Sequence, residues 1–135
     1  MKKERQIIFD KYEGKCAYCG HPLTKSFHID HLDPMYRGKK LIGYSIFDQS
    51  KVYEDTTKHE LDNIENMMPS CVSCNLYKST YSLEQFREQI GLLTGRLSAR
   101  FSQYKIAKRF GLVIETENPV IFYFENFDDS LKSSL

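Results

Sequence analysis

Two stretches decide how this chain folds: Phe27-His28-Ile29-Asp30-His31-Leu32-Asp33-Pro34, and Asn66-Met67-Met68-Pro69-Ser70-Cys71-Val72-Ser73-Cys74-Asn75-Leu76-Tyr77-Lys78. In the first, alternation predicts a strand over residues 27–32. It puts Phe27, Ile29 and His31 on one side and His28 and Asp30 on the other, and Pro34 ends it. In the second, Asn66 to Pro69 predicts another short strand. It leads into a Cys-x-x-Cys turn and then a helix that bears Asn75 and Lys78.

All four cysteines fall in two Cys-x-x-Cys pairs, Cys16/Cys19 and Cys71/Cys74. Two disulfides are one reading, which a reducing compartment disfavours. The other is a tetrahedral structural zinc, because each short-spaced pair can form a tight turn that points both sulfurs at one ion. A zinc so held would bring the two decisive stretches together. His21 is close enough to substitute as a ligand, but four sulfurs suffice.

Outward from these stretches, residues 2–12 read as a helix stopped by Gly14. Leu41 to Phe47 has the makings of a strand, and Lys51 to Asp62 reads as a charged loop or surface helix. Ser82-Leu83-Glu84-Gln85 fits a capping box, and Leu83, Phe86, Ile90 and Leu93 then form a helical apolar stripe that Gly95 is expected to break. Residues 96–110 read as a further helix. Leu112 to Ile114 and Val120 to Phe124, joined across Glu117-Asn118-Pro119, predict a β-hairpin.

A chain of 135 residues is most simply one domain, with one hydrophobic core. No apolar stretch is long enough to span a bilayer, and the charged start does not fit a secretory signal, so no membrane partner and a cytoplasmic location are expected. The net charge of +1 says nothing about nucleic acid. Its distribution says more: Gln89 to Ile114 holds no acidic residue but contains Arg96, Arg100, Lys105, Lys108 and Arg109, and an acidic tail follows. That segment is either a solvated helix face or a phosphate-binding surface.

Phosphodiester hydrolysis needs a base for water, a cation for the phosphate and leaving oxygen, and donors that hold the substrate. Histidine is the natural base near neutral pH. Carboxylate and amide oxygens suit Mg²⁺ or Mn²⁺ better than thiolates do. Asp30-His31 in one stretch and Asn75 in the other offer both kinds of group.

The ordered set Cys16-Ala17-Tyr18-Cys19, Asp30-His31-Leu32-Asp33-Pro34, Asn66-Met67 and Cys71-Val72-Ser73-Cys74-Asn75-Leu76-Tyr77-Lys78 resembles the zinc-containing HNH nucleases. The resemblance covers residues 14–90 and implies an α+β fold, a ββα-metal core stapled by a zinc site of four cysteines. To it are added an extension over residues 94–135 with the helices and hairpin just described. It implies His31 as general base, its other ring nitrogen fixed by a backbone carbonyl, and Asp30 and Asn75 as ligands of one catalytic Mg²⁺ or Mn²⁺. It implies a structural role for Asn66 and phosphate contact by Lys78, with products bearing a 5′ phosphate and a 3′ hydroxyl. Where many members have a Gly-Gly turn, this chain runs through Arg37-Gly38-Lys39-Lys40 and a longer insert, and Arg37 and Lys39 are expected to meet substrate. The implied partner is double-stranded DNA, with a homodimer if both strands are cut. A zinc-stabilised nucleic-acid binder without catalysis, and an RNA-cleaving nuclease or toxin, stay open. His28, on Asp30's side of the strand, reads first as a solvated imidazole; the alternatives are a partner that supports the ligands from behind or a further metal ligand.

Overall fold

The structure, a computed structural model, describes residues 2–127. It is a mixed α+β arrangement built around two separate two-stranded antiparallel sheets and a four-cysteine cluster. In chain order the elements are α1 (Lys3–Asp10), β1 (His28–His31), β2 (Lys39–Tyr44), β3 (Lys51–Asp55), β4 (Met67–Ser70), α2 (Val72–Lys78), α3 (Leu83–Gly91), α4 (Leu93–Arg100), α5 (Ser102–Arg109) and α6 (Tyr123–Asn126). Short 3₁₀ turns at His59–Leu61 and Ile64–Asn66 lead into β4.

β1 pairs with β4, His28 opposite Ser70 and His31 opposite Met67. Pro69 sits in β4 without a donor of its own, but its carbonyl accepts the Ala17 amide at 2.9 Å, which ties the first cysteine turn to the sheet. Lys11, just beyond α1, donates to the Met67 carbonyl at 2.8 Å and fastens the N-terminal helix to β4. Burial lowers the pKa of this lysine, and Glu65 partly opposes the shift.

The core is aromatic. Tyr18, Phe86 and Phe122 are buried with Cys16, Ala17 and Met68. Phe86 and Phe122 stack at 5.3 Å, and Tyr18 meets both edge-on at 5.5 and 5.6 Å. α3 enters this core behind the expected capping box: Gln85 N–H donates to Ser82 Oγ at 3.2 Å, and Ser82 N–H donates to Gln85 Oε1 at 2.9 Å.

Four expectations need correction. The hairpin over Leu112–Ile114 and Val120–Phe124 is absent among the described residues. Phe122 instead sinks into the core, and the amides of Tyr123 and Phe124 bond the carbonyls of Tyr18 and Ala17 at 2.9 and 2.8 Å. The chain's end therefore straps the cysteine turn, and Arg87 secures it by donating to the Val120 carbonyl and the Glu125 carboxylate, each at 2.7 Å. Gly95 does not break a helix, since it lies inside α4 and the break comes at Leu92. The helix over 96–110 is two helices, parted at Phe101, whose backbone is extended. Lys51–Asp55 is a strand, pairing with β2 to make an exposed hairpin whose tip carries Ile46 and Phe47. The acidic tail beyond Phe127 lies outside the described residues.

Candidate functional site

The cysteine cluster is built by backbone geometry. In the first turn the Gly20 amide donates to the Cys16 carbonyl and the Cys16 amide to the His21 carbonyl, both at 2.9 Å. Gly20 has φ +75°, and a Cβ there would come within 2.8 Å of the Tyr123 ring, so only glycine suits the turn. In the second, Cys71 caps α2, its sulfur accepting the Cys74 amide at 3.4 Å. The four sulfurs lie within 4.8 Å of one another, with Cys19 and Cys71 at 3.8 Å, and no disulfide joins them.

This donor set fits zinc. A tetrahedron of thiolates at about 2.3 Å from zinc has edges of about 3.8 Å. The thiols lean on one another: the hydrogen bond from Cys74 lowers the pKa of Cys16, and that same bond, with burial, raises the pKa of Cys74. Burial also raises Cys19. A metal bound there would displace the protons that the raised pKa values of Cys19 and Cys74 hold on those sulfurs.

The second feature is a cleft of about 550 Å³ at the end of β1, beside α2. Asp30, His31 and Asn75 all line it, with Arg37, Ser79 and Thr80 completing part of the wall. Asp30 is buried, and its Oδ2 accepts from the Tyr18 hydroxyl and pairs with Lys78 Nζ at 3.1 Å. That neighbouring carboxylate, with burial as the larger cause, pushes the Tyr18 phenol up, so the hydroxyl stays a donor. The Asn75 amide lies 2.8 Å from His28 Nδ1, so His28 is a bonded neighbour of Asn75 rather than a solvated side chain.

Lys78 departs from expectation. Its side chain is 0% exposed, and its ammonium donates to the His31 carbonyl at 3.0 Å while pairing with Asp30. It therefore cannot meet a substrate phosphate; it fixes the Asp30-His31 corner from below. The carbonyl expected to hold the His31 ring is replaced by a carboxylate, with His31 Nε2 lying 3.0 Å from Asp62 Oδ1. Asn66 lies outside the cleft. Its amide donates to the Asp33 and Leu61 carbonyls at 2.9 and 2.8 Å and accepts the Asp33 amide at 2.9 Å, which clamps the loop carrying Asp62. Arg37 reaches the cleft, whereas Lys39 lines a neighbouring depression and faces Asp55 across the hairpin.

Two cleft residues, Tyr36 and Ser79, hold positive φ of 49° and 48° without being glycine. Such backbone costs on the order of 1–3 kcal/mol and gathers where a site constrains the chain. Tyr18, Asp62, Ser79 and Thr80 had no signal in the sequence; Asp62 sits in a charged run that reads as surface.

Oxygen and imidazole donors from Asp30, Asn75 and His28 share this region, but among the described residues only the cysteines form a compact cluster of metal-binding side chains. No helix among the described residues is long and apolar enough to cross a membrane. Comparison with family models, curated proteins and solved structures returned no match.

Proposed function

We propose that this chain is a zinc-stapled endonuclease of the HNH type that hydrolyses DNA phosphodiester bonds with a divalent cation. One observation carries the reading: Asp30, His31 and Asn75, drawn from two distant stretches, line a single open cleft that also holds Arg37. Support comes from the pairing of β1 with β4 followed directly by α2, with the four cysteines beside them. That is the order of parts the ββα-metal resemblance implies.

In this mechanism His31 donates its Nε2 proton to Asp62, which leaves Nδ1 with a lone pair to take a proton from attacking water. Tyr18 and Lys78 hold Asp30 Oδ2, which leaves Oδ1 to face a ligand. Asn75 contributes its side-chain amide oxygen from the opposite wall. A Mg²⁺ or Mn²⁺ held by Asp30 and Asn75 would neutralise charge on the phosphate and on the leaving 3′ oxygen. Arg37 supplies a planar donor pair suited to a phosphate oxygen.

The test is supercoiled plasmid incubated with purified protein and Mg²⁺, Mn²⁺ or no added metal. Metal-dependent nicking is expected, and linear product would indicate paired active sites in a homodimer. His31→Ala should remain folded and bind DNA yet cut at least ~100-fold more slowly. Cutting by that variant at the wild-type rate rejects the assignment of the base.

A second reading has its own observation. Lys78 already neutralises Asp30, which weakens the pull of that carboxylate on a cation. A zinc-stabilised nucleic-acid binder without catalysis would retain plasmid and leave it intact in every metal. Parallel incubation with a structured RNA separates an RNA-directed nuclease from both.

A further inference from the structure

A second depression lies on the far side of α2 from the cleft. Tyr77, Tyr81, Arg96, Leu97, Arg100 and Phe101 line it. Asn75 faces the cleft and Tyr77 faces this groove, as two positions along a helix must point to different sides. Just past the C-terminal end of α2 the chain serves both depressions, Ser79 and Thr80 lining the cleft and Tyr81 the groove.

We infer that this groove binds single-stranded nucleic acid, guanidiniums on phosphates and aromatic rings on bases. Arg96 and Arg100 stand one turn apart on α4, on the same face. Neither forms an ion pair among the described residues; Arg96 makes only a long contact of 3.4 Å to the Tyr77 hydroxyl. Lys108, in the same basic segment, is by contrast taken up by Glu115 at 2.9 Å. Tyr77, Tyr81 and Phe101 are 38%, 38% and 51% exposed, so three part-exposed rings line the groove together with two guanidiniums that pair with no carboxylate among the described residues. Tyr77 rests on the core ring of Phe86 at 6.3 Å, which gives it a fixed base. Aromatic platforms interleaved with arginine suit unpaired bases on a phosphate backbone, and bases stacked inside a duplex cannot reach such rings.

The inference rests on the nuclease reading for the class of ligand, but its measurement does not depend on turnover. The zinc-loaded full chain is titrated, without magnesium or manganese, against fluorescein-labelled oligothymidylate, oligouridylate and a mixed-sequence duplex. Anisotropy is read over a range of salt. The Arg96→Gln/Arg100→Gln double variant should bind the single strands about tenfold more weakly, with the salt slope reduced by about 1.4, at about 0.7 per lost phosphate contact. Tyr81→Leu, which keeps the apolar contact and removes the ring, should weaken binding about fivefold or more. Lys105→Gln/Arg109→Gln removes the same charge from α5, outside the groove, and should change affinity less than about twofold. Unchanged melting temperatures establish that each variant is folded.

Preference for oligothymidylate or for oligouridylate assigns the strand as DNA or RNA, and either supports the groove. An Arg96→Gln/Arg100→Gln variant that binds as the parent does, an equal loss in the α5 control, a duplex preference insensitive to Tyr81→Leu, or no binding to any probe overturns it. A chain that binds in this way but cuts nothing in any metal fails the nuclease reading and leaves the groove standing. Cutting without single-strand binding does the reverse.

Discussion

The two sheets of this molecule have the same number of strands and opposite characters. β1 and β4 come from distant parts of the chain, and three separate ties hold them: the cysteine cluster, the Ala17–Pro69 hydrogen bond and the buried Lys78 beneath His31. β2 and β3 are neighbours in one hairpin, and β3 is exposed along its whole length. Joining distant strands closes a long loop, whose entropy must be offset by interactions at the junction. A local hairpin needs little beyond its own ladder. Stabilising contacts are therefore concentrated where the proposed chemistry sits, and the hairpin is left free to project.

The largest effect should come from the cysteines. A structural zinc contributes on the order of 10–16 kcal/mol, against a net domain stability of roughly 5–15 kcal/mol. Cys71→Ser is expected to yield insoluble or protease-sensitive protein with no bound zinc, as is prolonged chelation of the wild type. If Cys71→Ser melts and binds zinc as the parent does, the first sheet is not stapled by metal and the contrast between the sheets loses its main cause.

Next in size is Lys78→Met. It leaves the buried Asp30 carboxylate with the Tyr18 hydroxyl but without its counter-ion, and takes a donor from the His31 carbonyl. Breaking one side of a buried pair costs about 3–5 kcal/mol, read as a lower denaturation midpoint. Adding Asp30→Asn to the same chain should recover part of that loss, because an uncharged amide needs no counter-ion. An Lys78→Met variant as stable as the wild type would mean that the corner is held by the cysteines alone.

Much of this contrast could be read from residue types and spacing. The Cys-x-x-Cys pairs, the alternation through Asp30 and the Ser82–Gln85 cap are local patterns, and local backbone geometry enforces them. The hairpin β2–β3 was half hidden because Lys51, Glu54 and Asp55 bury the strand pattern of Val52 and Tyr53 in charge. Val120 to Phe124 misled in the opposite sense. β-branched and aromatic residues suit a strand, but here a tertiary demand prevails: Phe122 fills the aromatic core and the neighbouring amides bond the cysteine turn. Lys78 read as a surface cation because lysine is almost never fully buried, and the Asp30 carboxylate with the His31 carbonyl makes its burial tolerable. The Asp62–His31 contact joins residues 31 positions apart, across the whole β2–β3 hairpin and one 3₁₀ turn, and no periodicity encodes that.

Asp62 gives a smaller and more selective effect, because its carboxylate is exposed and bonds the His31 ring. Asp62→Ala frees the imidazole to turn, and misplacing a catalytic group by a fraction of its reach costs between about tenfold and a hundredfold in rate. The loss should fall in kcat with KM unchanged, since nothing in substrate binding is removed. Asp62→Asn, which can still accept from Nε2–H, should recover most of the rate. Equal losses in both variants would assign the residue to charge and not to positioning.

The smallest effect is expected at the hairpin tip, where it measures whether β2–β3 is as independent as the geometry implies. Ile46 and Phe47 are 90% and 92% exposed, so each gives up almost no buried area on substitution. Ile46→Ser and Phe47→Ser should therefore change stability by no more than about 0.5 kcal/mol, within the range of ordinary surface positions. A concentration-dependent fall in melting temperature on substitution would mean that a second copy of the chain covers the tip in solution. The hairpin would then be a joint between subunits, and its exposure would belong to the single chain alone.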